Sequence, residues 1–376
     1  MMLPPRTLAL ICFVAPAIAL SQTDTACSHE HLAIPVDGWG ICFGNSARHS
    51  GLRLNWSDDC LEEVDGVNIA FWKPGSHVSG TVNGLAISLA AASAGTINGV
   101  AVGPGAVIGD GALRGVGLAG LGLVCSGEMD GMAFAGLGCV GKSDMDGITV
   151  AGLGVVIDGS INGFALAGLG TVSQGAMRGF SMAGLGLVGS KELTGVNLGG
   201  LAVVSDGDVT GVNAAGLAVV GKRGLCGLTA GGLAAVSEGS MTGVALAGIA
   251  VVANGGITGC SAAGAVIVSQ HDILGLHLTI GEIRSEASIS GVSIAGYRTK
   301  ADRISGVHFS ILTTQAASLD GIATGFYNRV TGEQAGLSIG LFNHATVLHG
   351  VQIGIINLAE SNPPVLRILP ILNADF

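Results

Sequence analysis

The segment Cys27-Ser28-His29-Glu30-His31 has the side-chain types of a metal site. Alternate residues of an extended chain point to the same side, which would bring His29 and His31 together. Zinc binds thiolates, imidazoles and carboxylates, so the cluster offers suitable ligands. It lies close to the amino end of an exported chain, however, where exposed histidines are common. We therefore interpret it as a surface tail and predict no metal-binding residue.

The rest of the sequence does not contain the motifs of familiar catalytic sites. No nucleophile elbow, phosphate-binding loop or metalloprotease helix occurs. Gly-x-Gly strings are numerous, but none follows a strand and opens a helix, as a dinucleotide-binding turn must. We therefore predict no catalytic residue, no cofactor and no enzymatic activity.

Apart from Cys12, the cysteines form two groups. Cys27, Cys42 and Cys60 lie in the amino-terminal region, where an oxidising compartment would permit one disulfide whose pairing the sequence leaves open. The second group is spread over a sequence repeat and is predicted to behave as buried small hydrophobic residues rather than as metal or redox groups. Its members are Cys125, Cys139, Cys226 and Cys260.

A repeat of about sixteen residues organises most of the chain. One glycine marks each unit, and its spacing is sixteen from Gly99 to Gly291, shortening to fifteen and then fourteen further on. Self-similarity at a short fixed period is typical of stacked repeat architectures. The marker glycines are 66, 84, 99, 115, 131, 147, 163, 179, 195, 211, 227, 243, 259, 275, 291, 306, 321, 336 and 350.

Numbering each unit from this glycine as position 0 reveals columns of like residues. Positions +1 and +3 are apolar, as in Ile148 and Val150, and position +2 is small or polar. This alternation predicts a strand that buries +1 and +3 and exposes +2. A corner at Ala151-Gly152 would then let Leu153 and Val155 point inward as well. Glycine and aspartate near the end of the unit indicate a tight turn.

These features predict an all-β solenoid in which each unit is one coil. Odd and even units are alike, whereas the strands of an outer-membrane β-barrel, the alternative fold, run alternately up and down. Aromatic girdles are also missing from the central units. In favour of the barrel are the terminal Phe376 and the apolar composition. Nineteen coils at strand spacing would form a rod about 90 Å long.

Some polar positions of the repeat could suggest metals. His277 and His308 share position +2 two coils apart, about 9–10 Å, which is too far to share an ion, so we predict solvated side chains. Asp130 and Asp146 precede the repeat glycine, as do Asp65 and Asp320, but the same position holds other residue types elsewhere. Calcium-binding repeats keep the acid in every unit, so the pattern disfavours calcium.

Composition and the amino terminus indicate the location. Arg6, the apolar run 8–20 and the small residues of Ala17-Ile18-Ala19 are typical of a signal peptide. A lipoprotein signal at Cys27 is the less favoured alternative, because Asp24 stands where an aliphatic residue is required. The net charge of −10 disfavours nucleic acid as a partner. The chain has 65 glycines, but 49% apolar residues make it too hydrophobic for a disordered linker.

The carboxy-terminal units carry a family resemblance. The segments 336–343 (GLSIGLFN) and 350–357 (GVQIGIIN), the closing segment 369–373 (LPILN) and the recurrent Asn328, Asn343 and Asn357 resemble the bacterial envelope surface-repeat proteins of the spirochaete surface-repeat lipoprotein type. The similarity covers mainly residues 319–376. It implies an exported, envelope-associated protein and no particular activity. The absence of a good lipobox departs from the lipoprotein members and puts lipid anchoring in doubt.

The sequence therefore predicts a signal peptide at 1–21, an amino-terminal cap region at 22–63, the repeat array at 64–358 and a carboxy-terminal cap at 359–376. We expect a non-enzymatic exported envelope protein with a structural or interaction role, such as adhesion or scaffolding. The alternative is an outer-membrane β-barrel with a pore or scaffold role. The expected partner is an envelope or extracellular component, and association with the outer membrane is part of the same expectation. The expected location is the outer membrane or cell surface, with the periplasm and secretion as alternatives.

Overall fold

The computed structural model describes residues 30–34, 39–75 and 78–375, and every regular element in these ranges is a β-strand. The predicted signal peptide and Cys27 lie outside the described residues. The amino-terminal strands are β1 (His31–Ile34), β2 (Trp39–Gly44), β3 (Arg48–Asn55), β4 (Glu63–Ala70) and β5 (Thr81–Ser88).

The central coils each contain a short strand of four residues and a longer strand of seven or eight. The strands alternate along the chain: β6 (Ala91–Ala94), β7 (Thr96–Gly103), β8 (Ala106–Gly109), β9 (Leu113–Ala119), β10 (Gly122–Cys125), β11 (Met129–Ala135), β12 (Gly138–Gly141), β13 (Met145–Ala151), β14 (Gly154–Ile157), β15 (Ile161–Ala167), β16 (Gly170–Ser173), β17 (Met177–Ala183), β18 (Gly186–Gly189), β19 (Leu193–Gly199), β20 (Ala202–Ser205), β21 (Asp208–Ala215), β22 (Ala218–Gly221), β23 (Gly224–Gly231), β24 (Ala234–Ser237), β25 (Ser240–Ala247), β26 (Ala250–Ala253), β27 (Ile257–Ala263), β28 (Val266–Ser269), β29 (Ile273–Thr279), β30 (Glu282–Ser285) and β31 (Ser288–Ala295).

Towards the carboxy terminus the strands lengthen and join: β32 (Arg298–Ser310), β33 (Thr313–Thr324), β34 (Tyr327–Ile339), β35 (Phe342–Ala359) and β36 (Ile368–Asp375).

Successive coils stack in parallel with like positions directly above one another. Gly131 of β11 pairs with Gly147 of β13, and Val140 of β12 pairs with Val156 of β14. The rings of Phe164 and Phe180, one coil apart, stack with centroids 4.8 Å apart, which is the spacing of hydrogen-bonded strands. The predicted β-solenoid of about sixteen-residue coils is therefore confirmed. The alternative closed cylinder of antiparallel neighbours is wrong, because the neighbouring coils run parallel.

The repeat glycine bends the long strand at a place where no side chain fits. Gly179 has φ of +114°, in the left-handed region that favours glycine. A Cβ atom built on it would lie 2.2 Å from the carbonyl oxygen of Gly163, its counterpart one coil below. Both restrictions recur along the stack. Glycine therefore recurs every sixteen residues because the backbones of successive coils approach closely at this position.

The core contains five positions of each sixteen-residue coil, and only one of them was predicted. In the coil that begins at Gly147, the buried side chains are Thr149, Ala151, Val155, Ile157 and Ile161, at positions +2, +4, +8, +10 and −2 of the next unit. The predicted burial of Val155 is correct. The predicted burial of +1 and +3 and exposure of +2 are wrong throughout the main array. Leu153 was also expected inside and is exposed.

The reason for this inversion is the thinness of the coil. Position +2 lies between the buried side chains at −2 and +8. Gly117, the smallest residue found at +2, demonstrates how little space there is. A Cβ atom built on Gly117 would lie 2.6 Å from Leu123 Cδ1 and 2.9 Å from Leu113 Cδ2. Most large apolar side chains therefore cannot fit at +2, where small and polar residues are used. The larger residues at +1 and +3 stand on the outer surface instead.

Both ends of the stack are covered by a strand of reversed direction. β1 pairs antiparallel with β2 at one end, and β36 pairs antiparallel with β35 at the other. Parallel stacking already begins with β2 and β3, within the region expected to be a separate cap, because Gly40 aligns with Gly51 and Gly51 with Gly66. Their spacing of eleven and fifteen residues hid these coils from a search for a sixteen-residue period.

Candidate interaction surface

The outer surface of the rod is unusually apolar. Position +1 exposes Met132 and Leu276, and position +3 exposes Phe309, each to 44% or more. The valine column at +9 also lies on the outside, as at Val140 and Val156. Monomeric soluble proteins rarely expose contiguous apolar patches larger than a few hundred Å². The stacking of identical columns makes these patches continuous along the rod, so the surface favours contact with an apolar partner.

One line of side chains, the leucine ridge, is the most regular of these columns. It occupies position +6, just after the glycine corner, in nine consecutive coils, and each member is 45–56% exposed. The corner turns the chain between the long and short strands, so position +6 points away from the core. The leucine ridge consists of Leu121, Leu137, Leu153, Leu169, Leu185, Leu201, Leu217, Leu233 and Ile249.

A shallow depression, the corner groove, runs beside the leucine ridge. It has a volume of about 900 Å³ and is lined by positions +3, +4 and +5 of seven coils, from Met182–Gly184 to Leu278–Ile280. Alanines at +3, such as Ala214 and Ala230, replace the larger residues found in other coils, and the floor is glycine and alanine. Ile280, 80% exposed at the glycine position +5, stands at one end.

The backbone of the groove floor is already hydrogen-bonded within the stack. The amide of Gly200 donates to Ala183 O at 2.9 Å, and that of Gly232 donates to Ala215 O at 3.0 Å. A polypeptide backbone lying in the groove would therefore find no partners here for its own amides, which are costly to bury unpaired. The corner groove suits apolar side chains instead.

Charged side chains collect on a different part of the coil, at the turn and next to the repeat glycine. Lys222 pairs with Asp206 one coil below at 2.5 Å, and Arg178 pairs with Glu192. Asn162 Nδ2 donates to Asp146 Oδ1 at 2.8 Å. These acids are therefore engaged by neighbouring coils. Exposed ion pairs contribute little stability. The main consequence of these charges is that the rod has a polar side in addition to its apolar side.

A column of polar side chains, the Ser-His column, lies inside the carboxy-terminal half of the core. It consists of Ser261, His277, Ser293 and His308 at position +2 of successive coils, all buried, and both histidines have no exposed surface. Ser261 Oγ hydrogen-bonds His277 Nδ1, and Ser293 Oγ hydrogen-bonds His308 Nδ1, both at 2.7 Å. The prediction that His277 and His308 are solvated is wrong, because the whole +2 column points inward.

Burial keeps these imidazoles neutral. Desolvation lowers the pKa of His277 to about 4, with a smaller contribution from His308, while the nearby backbone of Leu274 opposes the shift. The Nε2 atom of His277 has no hydrogen-bond partner of good geometry within the described residues. Desolvation also lowers the pKa of His308, opposed by the hydrogen bond to Ser305 O. A serine and an imidazole in contact resemble a nucleophile and its base, but a substrate cannot reach them here.

The cysteines divide differently from the prediction. Cys125 and Cys139 are buried as expected, and burial raises the pKa of the Cys139 thiol to about 12. Cys226 and Cys260 are exposed, contrary to expectation, because positions −1 and +1 point outward.

In the amino-terminal group, Cys60 is disulfide-bonded and Cys42 is a buried free thiol. The sequence left open which two of Cys27, Cys42 and Cys60 form the disulfide, and Cys42 is now excluded because it is a free thiol. Cys27, the third member, lies outside the described residues.

A buried polar cluster near the amino-terminal end escaped sequence reasoning. Arg53 has no exposed surface and pairs with Asp58, and it also donates to Asn68 Oδ1 at 2.8 Å and to Asn45 Oδ1 at 2.6 Å. Asn55 Nδ2 donates to Asp58 Oδ1 at 2.6 Å. A buried pair with further hydrogen bonds to both partners fixes geometry. The signal that could have revealed it is the charged Arg53 at position +2, where the other coils have small or uncharged polar residues.

The asparagines of the carboxy-terminal units form a buried ladder. Asn328 Nδ2 donates to Asn343 Oδ1, and Asn343 Nδ2 donates to Asn357 Oδ1, both at 2.8 Å. Asn328 and Asn343 also donate to the backbone of the next coil, at Ile339 and Ile353. The ladder is therefore a stacking device of the core.

The described part of the chain was compared with the requirements of a metal site and of a membrane-spanning helix. Of the amino-terminal cluster, only Glu30 and His31 are described, and no group of three or more His, Cys, Asp or Glu side chains in residues 30–34, 39–75 and 78–375 could hold an ion. Over the same ranges, no helix has the length and hydropathy needed to cross a bilayer.

Comparison with known proteins returned no matching family model, no matching curated protein and no matching solved structure.

Proposed function

We propose that this chain is a non-enzymatic, exported repeat protein of the cell envelope with a structural or interaction role, as an adhesive or scaffolding rod. The observation that carries the proposal is the leucine ridge. Nine half-exposed apolar side chains in one column of successive coils favour contact with another surface over free solution. The rod supplies length and rigidity, since every coil is hydrogen-bonded to both neighbours.

The proposal that the chain is not an enzyme is supported by the burial of the Ser-His column. Within the described ranges, its two Ser–His pairs are the side-chain pairs most similar to a nucleophile with a base, and they are buried between the strands. Catalysis requires the base to reach a bound substrate within hydrogen-bond distance. The outer columns next to them carry apolar residues such as Leu276 and Ile294.

Export is supported by the amino-terminal sequence, with Arg6 before the apolar run 8–20 and the small residues of Ala17-Ile18-Ala19 near the end of that run. The disulfide at Cys60 is compatible with an oxidising compartment. The resemblance of residues 319–376 to envelope surface-repeat proteins points the same way. We place the protein at the outer membrane or cell surface, with an envelope or extracellular component as its partner.

The test is fractionation of cells that express the chain with a carboxy-terminal tag. We expect the protein in the envelope fraction, shortened at its amino end, and released by detergent rather than by carbonate. A matched control lacks residues 1–21 and should remain in the cytoplasm. Recovery of the intact chain from the cytoplasm, with the control behaving identically, would contradict the proposal.

A further inference from the structure

The leucine ridge and the corner groove lie side by side on the same corner of the rod. In each coil the groove floor is formed by positions +4 and +5, and the ridge follows at +6. Both features repeat once per coil, at the 4.8 Å spacing seen between stacked phenylalanine rings. A ridge beside a groove of equal period is the surface that two identical rods need in order to interlock.

We propose that this corner is a homodimer interface, in which the leucine ridge of each copy lies in the corner groove of the other. A two-fold axis perpendicular to the rod, passing near Gly232, brings the coils from Leu185 to Ile249 of one copy against the groove of its partner. This inference names the partner of the interaction role proposed above and rests on that proposal.

A second copy fits the groove better than an extended peptide does. The floor amides, such as those of Gly200 and Gly232, are already bonded along the stack, so the groove offers no backbone pairing. Its lining is apolar apart from Thr279. The leucine ridge presents only hydrocarbon, and its members rise in step with the small residues of the floor. Side-chain ridges therefore match the chemistry and the period of the groove together.

The available area reaches what a specific interface needs. A fully buried leucine removes on the order of 100 Å² of apolar surface from water, so a half-exposed one offers on the order of 50 Å². The five ridge members from Leu185 to Ile249 and the exposed apolar side chains of the groove are about ten in all, which gives roughly 500 Å² per copy and about 1,000 Å² over the two copies. A specific interface needs about 1,000 Å² in total.

The charge distribution permits the contact. The ion pair of Lys222 with Asp206 and that of Arg178 with Glu192 lie in the turns and beside the repeat glycine, away from the ridge and the groove. Positions +3 to +6 of the groove coils carry no charged side chain, and Glu282, next to the end of the groove, is paired with Arg298 at 2.7 Å. Two copies can therefore meet at this corner without burying an unpaired charge, which would be costly.

The experiment is sedimentation analysis of the purified protein over a range of concentrations. The test variant carries Leu201→Gln, Leu217→Gln and Leu233→Gln. The matched control carries Val140→Gln, Val156→Gln and Val188→Gln, which are exposed on the short-strand face. Circular dichroism confirms that both variants retain the strand signal. We expect a dimer for the unmodified protein and the valine control, and dimerisation at least about 100-fold weaker for the leucine variant.

Other results overturn the inference in distinguishable ways. This interface is excluded if the unmodified protein remains monomeric, or if the leucine variant dimerises as tightly as the unmodified protein. In parallel, the proteins are mixed with phospholipid vesicles. A monomer that binds vesicles through the leucine ridge would mean that the partner is lipid, which overturns the second copy and leaves the interaction role standing. A monomer that binds nothing would also remove the ridge as support for the proposed function.

Discussion

Acidification should destabilise the rod through His277. This imidazole is buried with a pKa of about 4, whereas an unfolded histidine has a pKa near 6.5. The unfolded state therefore binds more protons between these values, so stability is complete above pH 6.5 and decreases as the pH falls to about 4. At about 1.4 kcal/mol per unit, the loss from this residue reaches about 3 kcal/mol. His308 changes stability in the same direction, since burial lowers its pKa too.

The control variant is His277→Asn, because Asn197 and Asn213 occupy the same column and are accommodated in the core. Urea unfolding, followed by circular dichroism at pH 7 and pH 4, gives the stability of both proteins. Carboxylates contribute equally to the two, so the difference isolates His277. We expect the unmodified protein to lose about 3 kcal/mol more than the variant. Equal losses would refute the conclusion that His277 is buried and neutral.

Three further predictions follow from the columns. Gly179→Ala, with φ of +114° and a carbonyl oxygen 2.2 Å from the new Cβ, should lower the unfolding free energy by roughly 1–3 kcal/mol in urea titrations; an unchanged midpoint would contradict the glycine argument. Cys226 and Cys260 should react with a maleimide in the native protein, while Cys139 should react only after unfolding; mass spectrometry identifies the labelled sites. Asn343→Ala removes two rungs of the asparagine ladder and should cost roughly 2–4 kcal/mol, measured as above, and a cost below 1 kcal/mol would argue against the ladder.

The architecture was predictable because the repeat is marked by a glycine that no other residue can easily replace. A glycine that stands at φ near +120° beneath the carbonyl of another glycine, as Gly147 does, cannot be replaced cheaply, so the period survives in the sequence. Identical columns then indicate that like positions stack. The asparagine ladder was predictable for the same reason, since Asn328, Asn343 and Asn357 recur at one place in the unit.

The orientation of the side chains was not predictable by the usual rule that apolar residues lie inside. That rule assumes a core with room for large side chains. Here position +2 lies between two inward columns, and the Cβ positions around Gly117 demonstrate how little space remains. The alanine and glycine that recur at +4 are the signal that a small-residue core was present. The burial of His277 and the exposure of Leu153 both follow from that inversion.

The ends of the rod were less predictable than its centre. Gly40 and Gly51 are in register with the later repeat glycines, but their irregular spacing conceals the relationship. The reversal of direction at β1 and β36 depends on pairing between strands of unlike sequence, which periodicity does not reveal. Likewise, the cluster around Arg53 depends on contacts between residues of three coils.

Distances between spin labels on one outward column test the stacking of coils most directly. Position −1 is suitable, because Asp130, Arg178 and Leu274 are all in this column, as the registers of their strands confirm. Cysteines introduced in pairs, with Cys226 and Cys260 replaced by serine and the sample diluted with unlabelled protein, should give about 29 Å between 178 and 274 and about 43 Å between 130 and 274. Distances that grow in proportion to the number of intervening coils support the solenoid. Distances that fail to increase from the first pair to the second would contradict it.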